Sequence, residues 1–248
     1  MDLLSISLTI IAVLIVGISK GGLGGGLGVL GVPIMALVMS PVQAAAIMLP
    51  ILCVMDLMAL KAYWKGWSKL HLIRLLPAAI AGIALGTLSF KYLNDDFIRL
   101  LTGLIAIGFA LNHWLKPARL IHQKPGVKAG LFWGTTAGFT SFVAHAGGPP
   151  VSIYLLPQKL DKSLYQATTV FFFLVVNYVK LIPYAFLNQF NTENINISLL
   201  MLPVAAIGIW LGVHIHHKLP DQWFFRIAYV LLFMTGCKLV FDALKGLI

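Results

Sequence analysis

The scarcest thing in this 248-residue sequence is charge, and acidic charge above all: eight Asp and Glu stand against eighteen Lys and Arg. Charged residues make up 10% of the chain, where soluble domains carry roughly 25%. So few ionic groups cannot solvate a folded surface, and a water-soluble globule is excluded. Cysteine is nearly absent. Cys53 and Cys237 both lie in apolar segments, which leaves no disulfide or cysteine–metal framework. The N-terminal MDLLSIS lacks the basic residues of a secretory leader, so no cleavable signal is expected. GxSxG, HExxH and a pair of catalytic aspartates are missing as well. Ser141 and His145 share a helical face, but the first half has no equivalent pair, so no catalytic residue and no cofactor are expected.

What the sequence has instead is apolar length. Hydrophobic residues reach 59% and the mean hydropathy is +0.91. The stretches 41–64, 70–92, 97–115, 164–187, 197–215 and 222–243 match the ~20 residues of a membrane-spanning helix. Two further stretches are rich in glycine. Residues 18–33 read ISKGGLGGGLGVLGVP between apolar 3–17 and 30–39; residues 134–150 read GTTAGFTSFVAHAGGPP around apolar 129–143 and 151–157. An interior glycine costs about 1 kcal/mol in a helix relative to alanine. Broken helices at membrane depth are tolerated only where they are buried or line a cavity. Two breaks in corresponding places of two halves point to a transporter's substrate site.

The halves correspond in detail. Val42-Gln43-Ala44 recurs as Tyr165-Gln166-Ala167, Leu76-Pro77 with Gly82 and Gly86 as Leu202-Pro203 with Gly208 and Gly212, and Phe97-Ile98-Arg99 as Phe224-Phe225-Arg226. The chain divides into a first repeat (1–115), a basic connector (116–128) and a second repeat (129–248). With the 64–69 loop and the connector placed in the cytoplasm, that side holds Lys61, Lys65, Lys69, Arg74, Lys116, Arg119, Lys124, Lys128, Lys159, Lys162, Lys218 and Arg226. The other side keeps Lys91, Arg99, Lys238 and Lys245, a clear positive-inside bias. The net charge of +10 is therefore loop charge, and no nucleic-acid partner is expected. The basic 64–69 loop matches an acidic 188–196 loop, so the repeats are inverted and both termini are expected outside the cytoplasm. The expected fold is an all-α polytopic membrane protein of two inverted repeats. Each repeat is a Gly-rich broken or re-entrant hairpin plus three transmembrane helices, giving six to ten crossings.

An ionisable residue within the membrane is a functional hypothesis by default. Lys20, beside Gly21, Gly22, Gly24 and Gly25, reads as an anion ligand, since half-helix ends offer free N–H groups and positive potential. The structural alternative is a snorkelling lysine. His145, beside Gly147 and Gly148, takes the equivalent place in the second half as an anion donor or proton carrier, against a buried structural histidine. Asp56 reads as a proton carrier or counter-ion, or as half of a purely structural pair with a lysine. Lys180 lies close enough to a helix end to snorkel. Gln43, Gln166, Ser141, Thr140 and Asn177 are neutral hydrogen-bonding groups near the breaks, while Pro33, Pro149 and Pro150 start the second half-helices. His214, His216 and His217 sit at a basic helix end and read as surface charge, so no metal site is expected.

The run GGLGGGLGVLGVP, the helix start at 41–46, the Leu76-Pro77, Gly82, Gly86 helix and the second-half AGGPP together resemble the sulfite exporter TauE/SafE family of membrane permeases, over roughly residues 5–245. That resemblance implies a secondary transporter of sulfite, sulfonates such as sulfoacetate, or related small anions, carboxylates among them. It implies neither direction nor a set of invariant residues. The expected mechanism is alternating access with proton coupling through Asp56 or His145, or none. The expected location is the bacterial cytoplasmic (inner) membrane. Expected partners are the small anionic substrate and membrane lipids; the small residues around Gly82–Gly86 and Gly208–Gly212 suit either a homodimer or packing within one subunit. A metal-cation permease would want carboxylates, thioethers or clustered imidazoles, and Asp56 stands nearly alone. An accessory subunit of a membrane complex would not need paired broken hairpins.

Overall fold

The computed structural model describes residues 2–22, 28–64, 66–90, 92, 94–115, 126–215 and 221–247, and it contains helices and no strand among them. Gly24, Gly25, connector residues 116–125, His216 and His217 lie outside the described residues. The elements are α1 (Leu3–Gly22), a 3-10 turn (Gly28–Leu30), α2 (Gly31–Met35), α3 (Pro41–Ala62), α4 (Lys69–Phe90) and α5 (Asp95–Leu115). They continue as α6 (Val127–Ala144), α7 (Gly148–Leu155) with a 3-10 turn (Leu156–Gln158), α8 (Lys162–Phe186), α9 (Thr192–Ile215) and α10 (Asp221–Leu247).

Among the described residues, α1, α3, α4, α8 and α9 are long and apolar enough to cross a membrane. The expected spans 97–115 and 222–243 appear as α5 and α10, which at 21 and 27 residues also have the length. Large apolar side chains such as Leu88, Leu200, Trp210 and Phe241 point outward, as a lipid-facing surface requires. This is an integral membrane protein.

Local chemistry sets the ends. Ser40, extended, accepts a hydrogen bond from the Gln43 N–H at 3.1 Å, and Pro41 opens α3 where no N–H is needed. Asp161 caps α8 the same way through Leu164 N–H at 2.9 Å. Of these five candidate spans α3 is the most enclosed, and it packs on α1, α2, α5, α6, α8 and α9.

Packing between the halves is reciprocal. α1 lies against α9, α6 against α4, and α5 against α10. Glycine makes the first two contacts possible. A Cβ on Gly17 would stand 2.9 Å from the Gly208 Cα, and one on Gly21 would stand 2.5 Å from the Ile209 carbonyl oxygen. On the other side, a Cβ on Gly138 would meet the Ala79 carbonyl oxygen at 1.9 Å, and one on Gly82 the Thr135 carbonyl oxygen at 2.1 Å. Gly82, Gly208 and Gly212 thus face helices of the same chain.

α3 and α8 run antiparallel. The Ser68 N–H, just past α3, donates to Thr168 Oγ1 in the first turns of α8 at 2.9 Å. At the opposite end, Val42 shares a small cavity with Tyr184, Leu187 and Gln189. Two matching tyrosines tie the hairpins to these helices. The Tyr63 hydroxyl donates to the Gly21 carbonyl at 2.6 Å, and the Tyr184 hydroxyl donates to the Phe142 carbonyl at 2.7 Å.

The helix breaks are shorter than the sequence suggests. α1 stays helical through Lys20, Gly21 and Gly22, and α6 runs through Gly134 and Gly138 as far as Ala144. Those glycines serve close helix approach, so tertiary packing overrides their poor helix propensity. The second break is confined to His145, Ala146 and Gly147.

Candidate functional site

The site is built where α1, α3, α6 and α8 meet. Asp56 on α3 is 1% exposed and forms an ion pair with Lys20, in the last turn of α1. Its second carboxylate oxygen accepts from Asn177 Nδ2 of α8 at 2.6 Å. Lys20 also lies 5.5 Å from the centroid of the Phe173 ring, and Gln166 Nε2 donates to its backbone carbonyl at 2.8 Å. The interior attraction between such charges offsets their desolvation only when the remaining lone pairs and protons are satisfied. Asn177 completes that requirement for the carboxylate.

Lys180, one turn beyond Asn177 on the same face of α8, is 0% exposed. Its Nζ donates to the Ser141 carbonyl at 2.9 Å and Ser141 Oγ at 3.0 Å, and lies 2.6 Å from His145 Nδ1. His145 Nε2 faces the Ala45 carbonyl at 2.9 Å. A carbonyl only accepts, so Nε2 carries the ring proton and Nδ1 is left as an acceptor. Three acceptors then surround Lys180 and match the three N–H groups of an ammonium. Among the described residues no carboxylate lies within ion-pair distance of Lys180.

His145 ends α6 in the left-handed region, at φ 51°, where a side chain is strained. Its two ring contacts and the parallel Tyr184 ring 6.2 Å away hold it there. Thr140 Oγ1 closes the break by donating to the Ala146 carbonyl at 3.0 Å.

The structure thus gathers Lys20, Asp56, Asn177, Lys180, Ser141 and His145 into one buried cluster, with Gln166 at its edge. Several expectations change. Lys180 does not snorkel; it is fully enclosed. Lys20 and His145 are not equivalent positions. The tyrosine ties pair the Gly21 carbonyl with the Phe142 carbonyl, so Lys20 matches Ser141 and His145 matches Gly24. Gly21 packs on α9 rather than opening its backbone to a ligand, and Gly22 is helical. At the start of α7, Pro149 and Pro150 carry no N–H, which leaves the Gly147 and Gly148 amides as the donors there. Gln43 lies at the start of α3, partly buried. Tyr63, Tyr184 and Phe173 were not anticipated. The matched placement of the two tyrosines near the ends of matched helices was the available signal.

A groove of about 160 Å³ opens beside the second break, lined by Ile105, Gly108, Phe109, Thr140, Ala146, Pro149, Pro150 and Ile153. Neither it nor the small cavity at Val42 is lined by Lys20, Asp56 or Lys180.

A buried cluster of ionisable side chains within a polytopic helical protein is a functional-site candidate, and comparison with known families decides its kind. The family model described as Sulfite exporter TauE/SafE matches residues 9–239. The chain belongs to that family. It is therefore a membrane permease of the TauE/SafE type, and the resemblance seen in its glycine and proline motifs extends over nearly its whole length. No curated protein and no solved structure matches it.

Proposed function

We propose that this TauE/SafE permease carries small sulfur-containing anions, such as sulfite or organosulfonates, by alternating access in the bacterial inner membrane. The observation that supports this best is the balance of the buried cluster, in which two lysines meet one carboxylate. An oxyanion satisfies a buried ammonium better than neutral acceptors do, because hydrogen bonds between charged partners are roughly twice as strong as neutral ones. The substrate-binding set comprises Lys180, Ser141 and His145, beside Asp56 held by Lys20 and Asn177, with Gln43, Gln166 and the amides of Gly147 and Gly148 lining the approach.

The antiparallel α3 and α8, and the reciprocal α1–α9 and α4–α6 contacts, support two inverted repeats, 1–115 and 129–248, joined by a cytoplasmic connector. In such folds the halves rock about a site at their interface. In this reading the buried cluster is the occluded arrangement of the cycle. Asp56 then acts as the internal counter-ion of Lys20.

Counterflow in proteoliposomes tests this reading. Labelled sulfite and a panel of sulfonates and carboxylates are offered to wild type, Lys180→Gln and Lys20→Ala. Saturable exchange of a sulfur oxyanion, falling at least tenfold in Lys180→Gln, is expected. Exchange of carboxylates alone replaces the substrate class, and exchange indifferent to both lysines removes the site.

A further inference from the structure

The charge of the cluster specifies more than an anion. Among the described residues, the buried Lys, Arg, Asp and Glu side chains are Lys20, Asp56 and Lys180. The other buried titratable side chains nearest them leave this balance unchanged. His145 is neutral by its hydrogen-bond roles, and His71 sits on α4 with its Nδ1 3.3 Å from the Tyr154 hydroxyl. Cys53 lies one turn before Asp56 on α3 as a buried free thiol. With all three ionised, the buried site holds one net positive charge.

We infer that this site takes singly charged anions, and that Asp56 sets the limit by occupying Lys20. The inference rests on the permease reading above. Asp56 already fills the place of a bound anion: one oxygen takes Lys20 and the other Asn177 at 2.6 Å. Lys180 alone remains with neutral partners, namely the Ser141 carbonyl, Ser141 Oγ and His145 Nδ1. A monoanion against Lys180 brings the occluded site to neutrality, which is the least costly charge state away from water. A dianion leaves one negative charge sealed inside unless Asp56 surrenders Lys20. For sulfite, the form carried is hydrogensulfite; for sulfonates, it is those without a second acidic group.

Isethionate and sulfoacetate are nearly the same size and differ by one charge, so they make the probe pair. Labelled exchange of each in proteoliposomes is compared for wild type, Asp56→Asn and the double variant Lys20→Gln/Asp56→Asn. Wild type is expected to exchange isethionate at least tenfold faster. Asp56→Asn raises the site to two positive charges and shifts the ratio at least tenfold toward sulfoacetate. The double variant restores one positive charge with no stranded ion, and the isethionate preference returns. It carries the test by itself where Asp56→Asn does not fold. A wild-type preference for sulfoacetate overturns the inference and leaves the permease reading standing, as does a ratio that stays the same in folded Asp56→Asn. A double variant that prefers sulfoacetate does the same. Absence of exchange for every anion in the wider panel overturns both.

Discussion

At the scale of single residues, His145 shows how strain and chemistry share one position. Its left-handed backbone at φ 51° would be met without strain by glycine, and a side chain there costs roughly 1–2 kcal/mol. The imidazole offsets this by bridging the Ala45 carbonyl and Lys180 Nζ. His145→Gly loses those bonds, worth about 0.5–1.5 kcal/mol each, but also relieves the backbone. His145→Ala loses the bonds and keeps the strain. Apparent melting temperatures in detergent should place His145→Gly close to wild type and His145→Ala below both. Anion exchange should fall in both variants, because Lys180 loses an acceptor in each. Equal stability of the two variants would mean that the left-handed turn holds no strain. The importance of His145 was visible in the sequence as an ionisable group within an apolar stretch; its partner was not. Lys180 lies 35 residues further on, and its position near a helix end favoured the snorkelling alternative until the fold enclosed it.

At the scale of elements, glycine did two jobs that look alike in sequence. Gly21, Gly134 and Gly138 read as helix breakers, yet they and Gly17 lie inside α1 and α6 and press against the backbones of α9 and α4. The four-residue spacing of Gly17 with Gly21, and of Gly134 with Gly138, was the clue that packing would win. The long apolar helices themselves were legible, because apolar length decides them. Boundaries at the breaks were not, because only the opposing helix tells a packing glycine from a flexible one. The distinction is measurable. Gly138→Ala places a Cβ 1.9 Å from a backbone oxygen that has no rotamer to yield, so α4 and α6 must separate. Destabilisation near the top of the usual 1–3 kcal/mol for overpacking is expected, with loss of transport. Gly108→Ala on α5 meets nothing within 4 Å and gains helix propensity, so it should melt at or above wild type. A Gly138→Ala protein as stable as Gly108→Ala would show that the α4–α6 contact is looser than drawn.

At the scale of the whole molecule, the reciprocal contacts and the charge pattern predict one orientation, which can be tested. The tyrosine that ties α1 to α3 and the one that ties α6 to α8 lie at opposite ends of the antiparallel α3–α8 pair. The loop after α3 carries Trp64, Gly66 and Trp67 between Lys61 and Lys69, while the loop after α8 leads into Glu193 with no lysine or arginine. The positive-inside rule predicts the first loop in the cytoplasm and the second outside. If α9 and α10 each cross once, the chain is expected to end outside; if α1 and α2 return to the side they enter from, it is expected to begin outside as well. A fluorescent protein that matures only in the cytoplasm should stay dark when fused after residue 248. Placed within the 116–128 connector, the same reporter should shine. Alkaline phosphatase, active only outside, should give the reverse pattern at both places. A bright C-terminal fusion would require an even number of crossings in the second half. That outcome would set the two halves parallel, against the antiparallel α3 and α8, and would remove alternating access by inverted repeats as the mechanism.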